Sequence, residues 1–278
     1  MFLKALLLLM FSSSAMAADF SILSWNLFML PKPIKFSRQS HRTKIIPLQL
    51  QSNTSDLMFF QEAFTSGIRN EIRNVLQKNY PYSFYLSRNQ RRKQVMGSGV
   101  FIVSRRPFKV IDRVYFNRCA SADCFASKGA VLIETVSAEG KTVQFVNTHL
   151  QAIEKYGAIR IHQLKQIRQM MNKHARSGIP QILVGDLNID FHEREFSDGQ
   201  NIMEMNYTEL EGVERQTSRV MVCRPAKTQK DEWIDHVWVD KKYQVQHSME
   251  VKVFDFEHQG SNCPSSDHHA IAASLSFT

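Results

Sequence analysis

A chain of 278 residues is long enough for one large α/β domain, and it contains no internal repeat, low-complexity tract or flexible linker. Beyond the N-terminus, no apolar run approaches the roughly 18 residues of a membrane-spanning helix. The formal net charge of +9 favours a polyanionic partner, either nucleic acid or an anionic membrane surface.

The N-terminal segment, residues 1–17, has the pattern of a secretory signal peptide. Lys4 supplies a positive charge, residues 5–11 form an apolar stretch, and Ala15 and Ala17 mark a small-residue cleavage site. The apolar stretch has about half the length that a bilayer-spanning helix needs, so removal is favoured over anchoring. We therefore expect a secreted protein, periplasmic or extracellular, in which residues 18–278 form a single domain.

The apolar runs of the chain predict both strands and helices. Runs with β-branched residues predict strands at 20–25, 57–60, 99–103, 130–135, 142–147, 182–184, 233–239 and 270–277. Apolar residues at helical spacing predict helices over 68–76 and 161–171. Several strands are apolar throughout, which is typical of strands covered on both faces. These elements predict an α/β fold with a mixed two-sheet core and outer helices.

Basic residues cluster around the third predicted strand. A solvated loop and a substrate-facing surface explain this cluster equally well. Its members are Arg88, Arg91, Arg92, Lys93, Arg105, Arg106 and Lys109.

Four cysteines are expected to form disulfides in an oxidising compartment. Four cysteines allow three pairings. Cys119 and Cys124 are close enough in sequence to close one loop, and Cys223 and Cys263 would then tie the C-terminal third together. A zinc site is the alternative, but no Cys-x-x-Cys spacing supports it.

Polar side chains follow the first two predicted strands. Asn26 follows the first strand and Glu62 follows the second. An amide oxygen and a carboxylate suit a hard cation such as Mg²⁺, which prefers oxygen ligands. Glu62 alone would be an ordinary surface acid, but its position directly after an apolar strand favours a site.

Two further motifs follow later strands. His149 ends one strand, and Asp186 and Asn188 follow another. Side chains at i and i+2 point in the same direction, although an Asx-type turn gives the same pattern. A lone histidine is usually structural, so His149 is a candidate only in combination with the other motifs.

The last two motifs pair a carboxylate with a histidine. Asp235 lies in the apolar run 233–239, where a carboxylate is costly unless it is paired, and a histidine is its natural partner. Asp267 and His268 precede the last strand, and a histidine backed by a carboxylate can take a proton from water. The six motifs together predict a divalent-metal phosphoesterase. No nucleotide-binding, serine-hydrolase or zinc-protease motif competes with this interpretation.

In their order along the chain, these motifs resemble those of the endonuclease/exonuclease/phosphatase superfamily. The resemblance runs from residue 20 to residue 277. It implies a four-layered α/β sandwich of the deoxyribonuclease I type, in which two mixed β-sheets pack face to face with helices outside. Within the superfamily, the stretch 147–152 and the turn 126–129 look like those of the secreted bacterial neutral sphingomyelinases, with Ser127 in place of Asn.

That branch implies a cofactor, a substrate and a metal site. The cofactor would be Mg²⁺ or another divalent cation. The substrate would be sphingomyelin or a related choline phospholipid at a membrane surface, hydrolysed by a monomer to ceramide and phosphocholine. Glu62 would be the principal Mg²⁺ ligand, with Asn26 beside it and Asp267 near the ion.

The resemblance also implies the catalytic roles. His268 would be the general base and Asp235 would orient it. His149 would stabilise the phosphoryl group or protonate the leaving group. Asp186 and Asn188 would position the attacking water and a metal-bound water.

Membrane-acting members of this branch carry an exposed hairpin with adjacent aromatic residues. The matching interval, 240–265, contains only Tyr243, Phe254 and Phe256, so we expect this insertion device to be short, altered or absent. The loop at 28–30 is a second candidate apolar contact, although we expect at least one of its side chains to be buried. The positive charge keeps a secreted metal-dependent endonuclease as the alternative function.

Overall fold

The computed structural model describes residues 18–31, 37–90, 94–211, 216–221, 223 and 232–277. The segment expected to be a signal peptide and the basic residues Arg91, Arg92 and Lys93 lie outside these ranges. Among the helices of the described ranges, none has the length and apolar character that a membrane crossing requires.

The described helices and strands follow one another along the chain. In order they are β1 (Phe20–Asn26), α1 (Gln39–Gln49), β2 (Leu57–Gln61), α2 (Ser66–Leu76), β3 (Tyr82–Tyr85), β4 (Phe101–Ser104), β5 (Phe108–Tyr115), β6 (Gly129–Val136), β7 (Thr142–His149), α3 (Gly157–His174), β8 (Gln181–Asp186), α4 (Arg194–Met203), β9 (Met205–Tyr207), β10 (Leu210–Glu211), β11 (Asp235–Asp240), β12 (Val245–Lys252), β13 (Asp255–His258), β14 (Ser261–Pro264) and β15 (Ala270–Phe277).

These strands form two large mixed sheets and a separate hairpin. The seven-stranded sheet has the order β10-β12-β15-β1-β2-β4-β3, and the six-stranded sheet has the order β5-β6-β7-β8-β11-β9. Strand β1 is parallel to β2 and antiparallel to β15, and β7 is parallel to β8. Among the described strands, β13 and β14 pair only with each other. The predicted α/β class with two mixed sheets is confirmed.

Three apolar clusters hold the layers together. The first lies between the sheets, where Phe20 packs edge-on against Phe145 with ring centroids 5.4 Å apart. The second joins the seven-stranded sheet to α1 and α2, and the third joins the six-stranded sheet to α3 and α4. Because successive strand residues alternate faces, Phe20 of β1 enters the first cluster and Trp25 enters the second. The result is the expected sandwich of helices, sheet, sheet and helices.

Strand register brings the predicted motifs to one edge of this sandwich. Asn26 lies beside Gln61 in the parallel pair β1/β2, and His149 lies beside Asp186 in the parallel pair β7/β8. In the antiparallel pair β8/β11, Asp186 stands directly opposite Asp235. Like charges opposite one another are unfavourable, so this register needs compensation from other groups.

Two predicted strands begin later than the sequence indicated. Strand β4 begins at Phe101 rather than at residue 99, because Gly99 has a positive φ of 79° that does not continue a strand. Strand β11 begins at Asp235 rather than at residue 233. Asp235 therefore stands at the entrance of its strand, where its side chain can reach the other sheet.

The structure selects one of the three possible cysteine pairings. Cys119 is bonded to Cys124, and Cys223 is bonded to Cys263. The zinc alternative is therefore wrong, since all four thiols are consumed. The second bond ties residue 223 to β14 of the hairpin.

Candidate active site

Asp186 is the side chain on which the candidate site converges. Its Oδ2 accepts a hydrogen bond from Asn26 Nδ2 at 2.8 Å, and it lies 3.3 Å from His149 Nε2 and 3.8 Å from His268 Nε2. Its Oδ1 accepts a hydrogen bond from the backbone N–H of Asn188 at 2.9 Å. The side chain is 1% exposed. Four other predicted site residues therefore surround one buried carboxylate.

Gly185 permits this convergence. Its φ is 141°, and a Cβ at this position would stand 2.1 Å from the carbonyl oxygen of Thr148. Any side chain would push β8 away from β7. The glycine before Asp186 is thus required for the close approach of the strands that carry Asp186 and His149.

Glu62 approaches Asp186 from the other sheet, with Asn26 between them. Besides its bond to Asp186, Asn26 Nδ2 lies 3.4 Å from Glu62 Oε1. The Oδ1 atom of Asn26 accepts a hydrogen bond from the backbone N–H of Phe28 at 3.0 Å, so the amide nitrogen is the side that faces the carboxylates. Glu62 Oε2 is buried without a hydrogen-bond partner among the described residues.

The conformation and charge of Glu62 are both unusual. Its φ is 51°, and Gly99 leaves room for it, because a Cβ there would lie 3.1 Å from Glu62 Cα. A residue held in the left-handed region costs about 1–3 kcal/mol, and such residues cluster at functional sites. Burial, and then the charge of Asp267, raise the pKa of Glu62 to about 7. A bound cation would satisfy the free oxygen and offset this repulsion.

Asp235 and His268 form a hydrogen-bonded dyad. His268 Nδ1 lies 2.8 Å from Asp235 Oδ2, and because a carboxylate only accepts, the ring donates from Nδ1. This leaves Nε2 on the side of Asp186. Burial alone would lower the pKa of His268, but Asp235 and Asp186 outweigh burial and raise that pKa well above its ordinary value. The dyad is built to hold a proton.

His149 shares its Nε2 atom between two partners. Lys128 Nζ lies 3.1 Å away and Asp186 Oδ2 lies 3.3 Å away. One ring nitrogen cannot accept from an ammonium and donate to a carboxylate at once, so the tautomer decides which contact is a hydrogen bond. Burial, reinforced by Lys128, lowers the pKa of His149 to about 3, which makes the ring neutral at neutral pH. Lys128 is fixed by Asp123 at 2.8 Å and by the carbonyl of Leu150 at 2.6 Å.

Asp267 lies near Arg42, a buried residue of α1. Burial raises the pKa of Asp267. Arg42 is fully buried and donates to the carbonyls of Ser265 at 2.8 Å, Phe28 at 3.0 Å and also Leu27. Burial lowers the pKa of Arg42 to about 10. This guanidinium therefore joins the loop that follows β1 to the loop that precedes β15, and both loops lie next to the site.

Asn188 connects the site to an open groove. Its φ is 50°, and its side chain donates to the carbonyl of Leu150 at 3.3 Å. The groove has a volume of ≈ 900 Å³ and borders Asn188 and Ile234. Its acidic lining residues are Glu154, Asp190, Glu193, Glu195 and Glu232. Of the candidate site residues, Asn188 is the one that lines this groove in the described part of the chain.

The sequence motifs do not predict the buried residues that hold the site residues in place. Gln61 Nε2 donates to Asn147 Oδ1 at 2.9 Å and links the two sheets behind the site. Arg42 and Lys128 likewise lie outside the set of residues that the sequence motifs predict. The only signal for these residues was a charged or amide side chain inside or beside an apolar segment, and buried charge must find a partner.

The remaining predictions about the surface have mixed outcomes. Arg106 pairs with Asp56 at 3.0 Å, at the end of β4 remote from Glu62, so this part of the basic cluster does not face the site. Phe254 stacks on Trp25 with ring centroids 4.7 Å apart, and Phe256 is 6% exposed. The interval thus contains the β13–β14 hairpin, and both phenylalanines, Phe254 just before the hairpin and Phe256 within it, pack inward. In the loop at 28–30, only the central methionine is fully buried.

Two groups of side chains could hold a divalent cation. Asp186, Asp235 and His268 each offer a ligand atom within 4.8 Å of the others. Two of these three are already hydrogen-bonded to each other. Glu62 Oε2 and Asp235 Oδ1 are both buried without a hydrogen-bond partner among the described residues. The Glu62 side fits a hard cation better, because Glu62 and Asp267 both offer carboxylate oxygens there, whereas the other group includes an imidazole nitrogen.

The chain is similar to several bacterial proteins. It is 25% identical over 250 residues to sphingomyelinase C 2 of Leptospira interrogans, an alignment that covers 81% of this chain but 40% of that protein. The chain thus spans less than half the length of this relative. It is 26% identical over 250 residues to a phospholipase C of Staphylococcus aureus, covering 81% of this chain and 74% of that protein.

A solved structure shares the fold. A variant of beta toxin from Staphylococcus aureus with bound magnesium ions superimposes with a TM-score of 0.78 at 24% identity, over 92% of this chain and 99% of that chain. The model of the Endonuclease/Exonuclease/phosphatase family matches residues 23–268, which include every candidate site residue. The chain belongs to the endonuclease/exonuclease/phosphatase family.

Proposed function

We propose that this chain is a Mg²⁺-dependent phosphodiesterase that hydrolyses sphingomyelin, or a related choline phospholipid, to ceramide and phosphocholine. One observation carries the proposal. A histidine oriented by a buried carboxylate (His268 on Asp235) and a carboxylate with a free buried oxygen (Glu62) lie around the same residue, Asp186.

His268 is the general base of the proposed reaction. Its Nδ1–H donates a hydrogen bond to Asp235, so Nε2 is the atom that takes a proton from water. The water oxygen forms a bond to phosphorus while the bond to the ceramide oxygen breaks on the opposite side. The leaving oxygen then takes up a proton, and phosphocholine is released.

Glu62 is the main residue proposed to hold the metal ion, with Asp267 nearby. Bound Mg²⁺ would polarise a phosphoryl oxygen and offset the negative field that keeps His268 protonated. Asn26 donates to both Glu62 and Asp186 and so fixes their relative position. Its turned-in oxygen favours a role as a hydrogen-bond donor beside the ion.

His149 and Lys128 are proposed to serve the phosphoryl group and the leaving oxygen. The low pKa of His149 favours a neutral hydrogen-bond donor over a proton carrier. Lys128 supplies the positive charge behind it. Asp186 and Asn188, joined through the backbone N–H of Asn188, are proposed to position the attacking water.

The lipid substrate is supported by the named activities of the relatives, and the metal is supported by the magnesium-bound beta toxin. The net charge of +9 favours the alternative, a metal-dependent endonuclease, because it would attract a polyanion. One assay separates the two. Purified protein with Mg²⁺ is given sphingomyelin, phosphatidylcholine, a lysolipid and plasmid DNA in parallel.

We expect phosphocholine release from a choline lipid that stops with EDTA and in Glu62→Ala. DNA cleavage that is lost in Glu62→Ala, with no phosphocholine release, would overturn the lipid substrate while keeping the metal-dependent chemistry. Phosphocholine release at the wild-type rate in Glu62→Ala would overturn the assignment of the site.

We also propose that residues 1–17 direct export and that 18–278 act as one monomeric domain outside the cytoplasm. Two disulfides among the described residues support an oxidising compartment. N-terminal sequencing of the exported protein, together with light scattering, tests both points. We expect a mature chain that starts near residue 18 and a monomer mass.

A further inference from the structure

The Asp235–His268 dyad spans the two sheets. Asp235 begins β11 of the six-stranded sheet, whereas His268 precedes β15 of the seven-stranded sheet. Hydrogen bonds within a single sheet therefore cannot fix the distance between them. Residues 217–219, which we call the bridging segment, belong to neither sheet and lie against both partners of the dyad.

Thr217 contacts the backbone of both sides. Its Oγ1 accepts the N–H of Ile234 at 3.0 Å and the N–H of Asp235 at 3.1 Å. Its carbonyl oxygen accepts the N–H of His269 at 2.8 Å. Thr217 is fully buried, so water does not compete for these bonds. A single residue thus bonds the backbone of Asp235 and the backbone of His269, the neighbour of His268.

The rest of the bridging segment is anchored as well. The N–H groups of Thr217 and Ser218 donate to the carbonyl of Glu232, at 2.9 Å and 3.1 Å. The N–H of Arg219 donates to the carbonyl of Asp267 at 2.7 Å, and its guanidinium pairs with Asp255 of β13 at 2.8 Å. The Cys223–Cys263 disulfide then fastens the chain that follows to β14.

We propose that Thr217 is a positioning residue for the proposed hydrolysis: it holds Asp235 and His268 in reach of one another across the two sheets. This inference rests on the proposed role of the dyad as general base. Thr217 touches neither substrate nor reacting atoms, so it acts only through the geometry of the dyad. Its hydroxyl uses both lone pairs as acceptors, a capacity that serine shares and valine lacks.

The test compares Thr217→Val with Thr217→Ser, using Thr135→Val as the matched control. Thr135 is also buried, and its hydroxyl donates to the carbonyl of Pro107 at the end of β6 remote from the site. In Thr217→Val we expect kcat to fall about 10- to 100-fold with KM unchanged, because a small displacement of catalytic groups has this effect. Thr217→Ser should restore kcat to near the wild-type value, and Thr135→Val should leave it unchanged.

Two readouts do not depend on turnover. In Thr217→Val, the amides of Ile234 and Asp235 should exchange with deuterium faster than in wild type, while in Thr217→Ser they should not. The proton between His268 Nδ1 and Asp235 should give a low-field NMR signal that shifts or broadens only in the valine variant. Melting temperatures of all variants separate local loosening from general unfolding.

An unchanged kcat and an unchanged low-field signal in Thr217→Val would overturn the positioning role. Equal losses in Thr217→Ser and Thr217→Val would also overturn it, because the hydroxyl would then not be the operative group. If the wild-type protein hydrolyses no phosphodiester, the proposed function fails. The exchange and NMR results would still decide whether Thr217 holds the dyad.

Discussion

The strand-end centre (Glu62, His149, Asp186, Asp235 and His268) and the β13–β14 hairpin are built in different ways. The centre is held by strand register and by hydrogen bonds between side chains that come from both sheets. The hairpin is held by a two-residue turn, by a disulfide and by the packing of Phe256 against His41 of α1.

This difference separates the chemistry from the surface that would meet a lipid. Among the described residues of the hairpin, the one phenylalanine is buried and the turn is polar. The groups that would perform hydrolysis are instead buried where the strands of the two sheets end. We therefore expect substitutions in the centre to abolish turnover of every substrate, and substitutions in the hairpin to change stability or vesicle binding only.

The largest expected effect is that of His268→Ala. Loss of a general base lowers kcat about 10²- to 10⁴-fold, and the loss should be the same on a soluble phosphodiester and on vesicles. The matched control is His258→Ala in the hairpin, which should keep wild-type kcat on the soluble substrate. An equal loss in His258→Ala would remove the distinction between the two regions.

The next effect is a pH-dependent stabilisation by Mg²⁺ through Glu62. The folded protein without cation raises the pKa of this carboxyl from 4.5 to about 7, so its stabilising contribution is complete below the unfolded value and is lost as pH rises through the folded value. Mg²⁺ binds the ionised form, so the rise in melting temperature on adding Mg²⁺ should be larger at about pH 8 than at about pH 6.

Glu62→Gln serves as the control for this linkage. Without an ionisable group at this position, the Mg²⁺-induced rise should be small and nearly independent of pH. A pH-dependent rise of wild-type size in Glu62→Gln would place the ion elsewhere in the centre.

A smaller effect is expected where the hairpin region meets the centre. Phe254 stacks on Trp25, whose Nε1 donates to the carbonyl of His268 at 3.0 Å. Phe254→Ala should lower the free energy of unfolding by about 2 kcal/mol, less than for a fully buried phenylalanine, because this side chain is half-buried. Denaturant titration measures the change. Val253→Ala, at an exposed neighbour, should have almost no effect.

The smallest effect is expected at the hairpin turn. Gln259 and Gly260 have φ values of 50° and 70°, as the two central residues of a type I′ turn require. Asparagine adopts this conformation more readily than glutamine, so Gln259→Asn should stabilise the protein by about 0.5 kcal/mol without changing kcat. Gly260→Ala should destabilise it by about 1 kcal/mol, a conformational cost, since no atom stands near the position of the added Cβ.

Much of the centre was predictable because its residues follow apolar strands. Asn26, His149 and Asp186 each end a strand that is buried along most of its length, and the apolar residues of each strand were enough to predict it. The alignment of β7 beside β8 then follows from ordinary parallel pairing, and it places His149 next to Asp186.

The supporting residues could not be predicted in this way. Helix α1 escaped notice because it contains Pro47 and buries Gln39 and Arg42, so its buried face is not an apolar stripe. Thr217 and Lys128 act through partners that are distant in sequence. Such contacts depend on how the two sheets meet, and no local pattern encodes that arrangement.

The most direct test of the central claim is the position of the metal ion in the centre. Crystals grown with Mn²⁺, an oxygen-seeking substitute for Mg²⁺, would show it as an anomalous peak. The division of roles proposed here predicts a peak at the Glu62 carboxylate, with His268 still hydrogen-bonded to Asp235. A peak enclosed by Asp186, Asp235 and His268, with none at Glu62, would contradict the account, because the proposed base would then be a metal ligand.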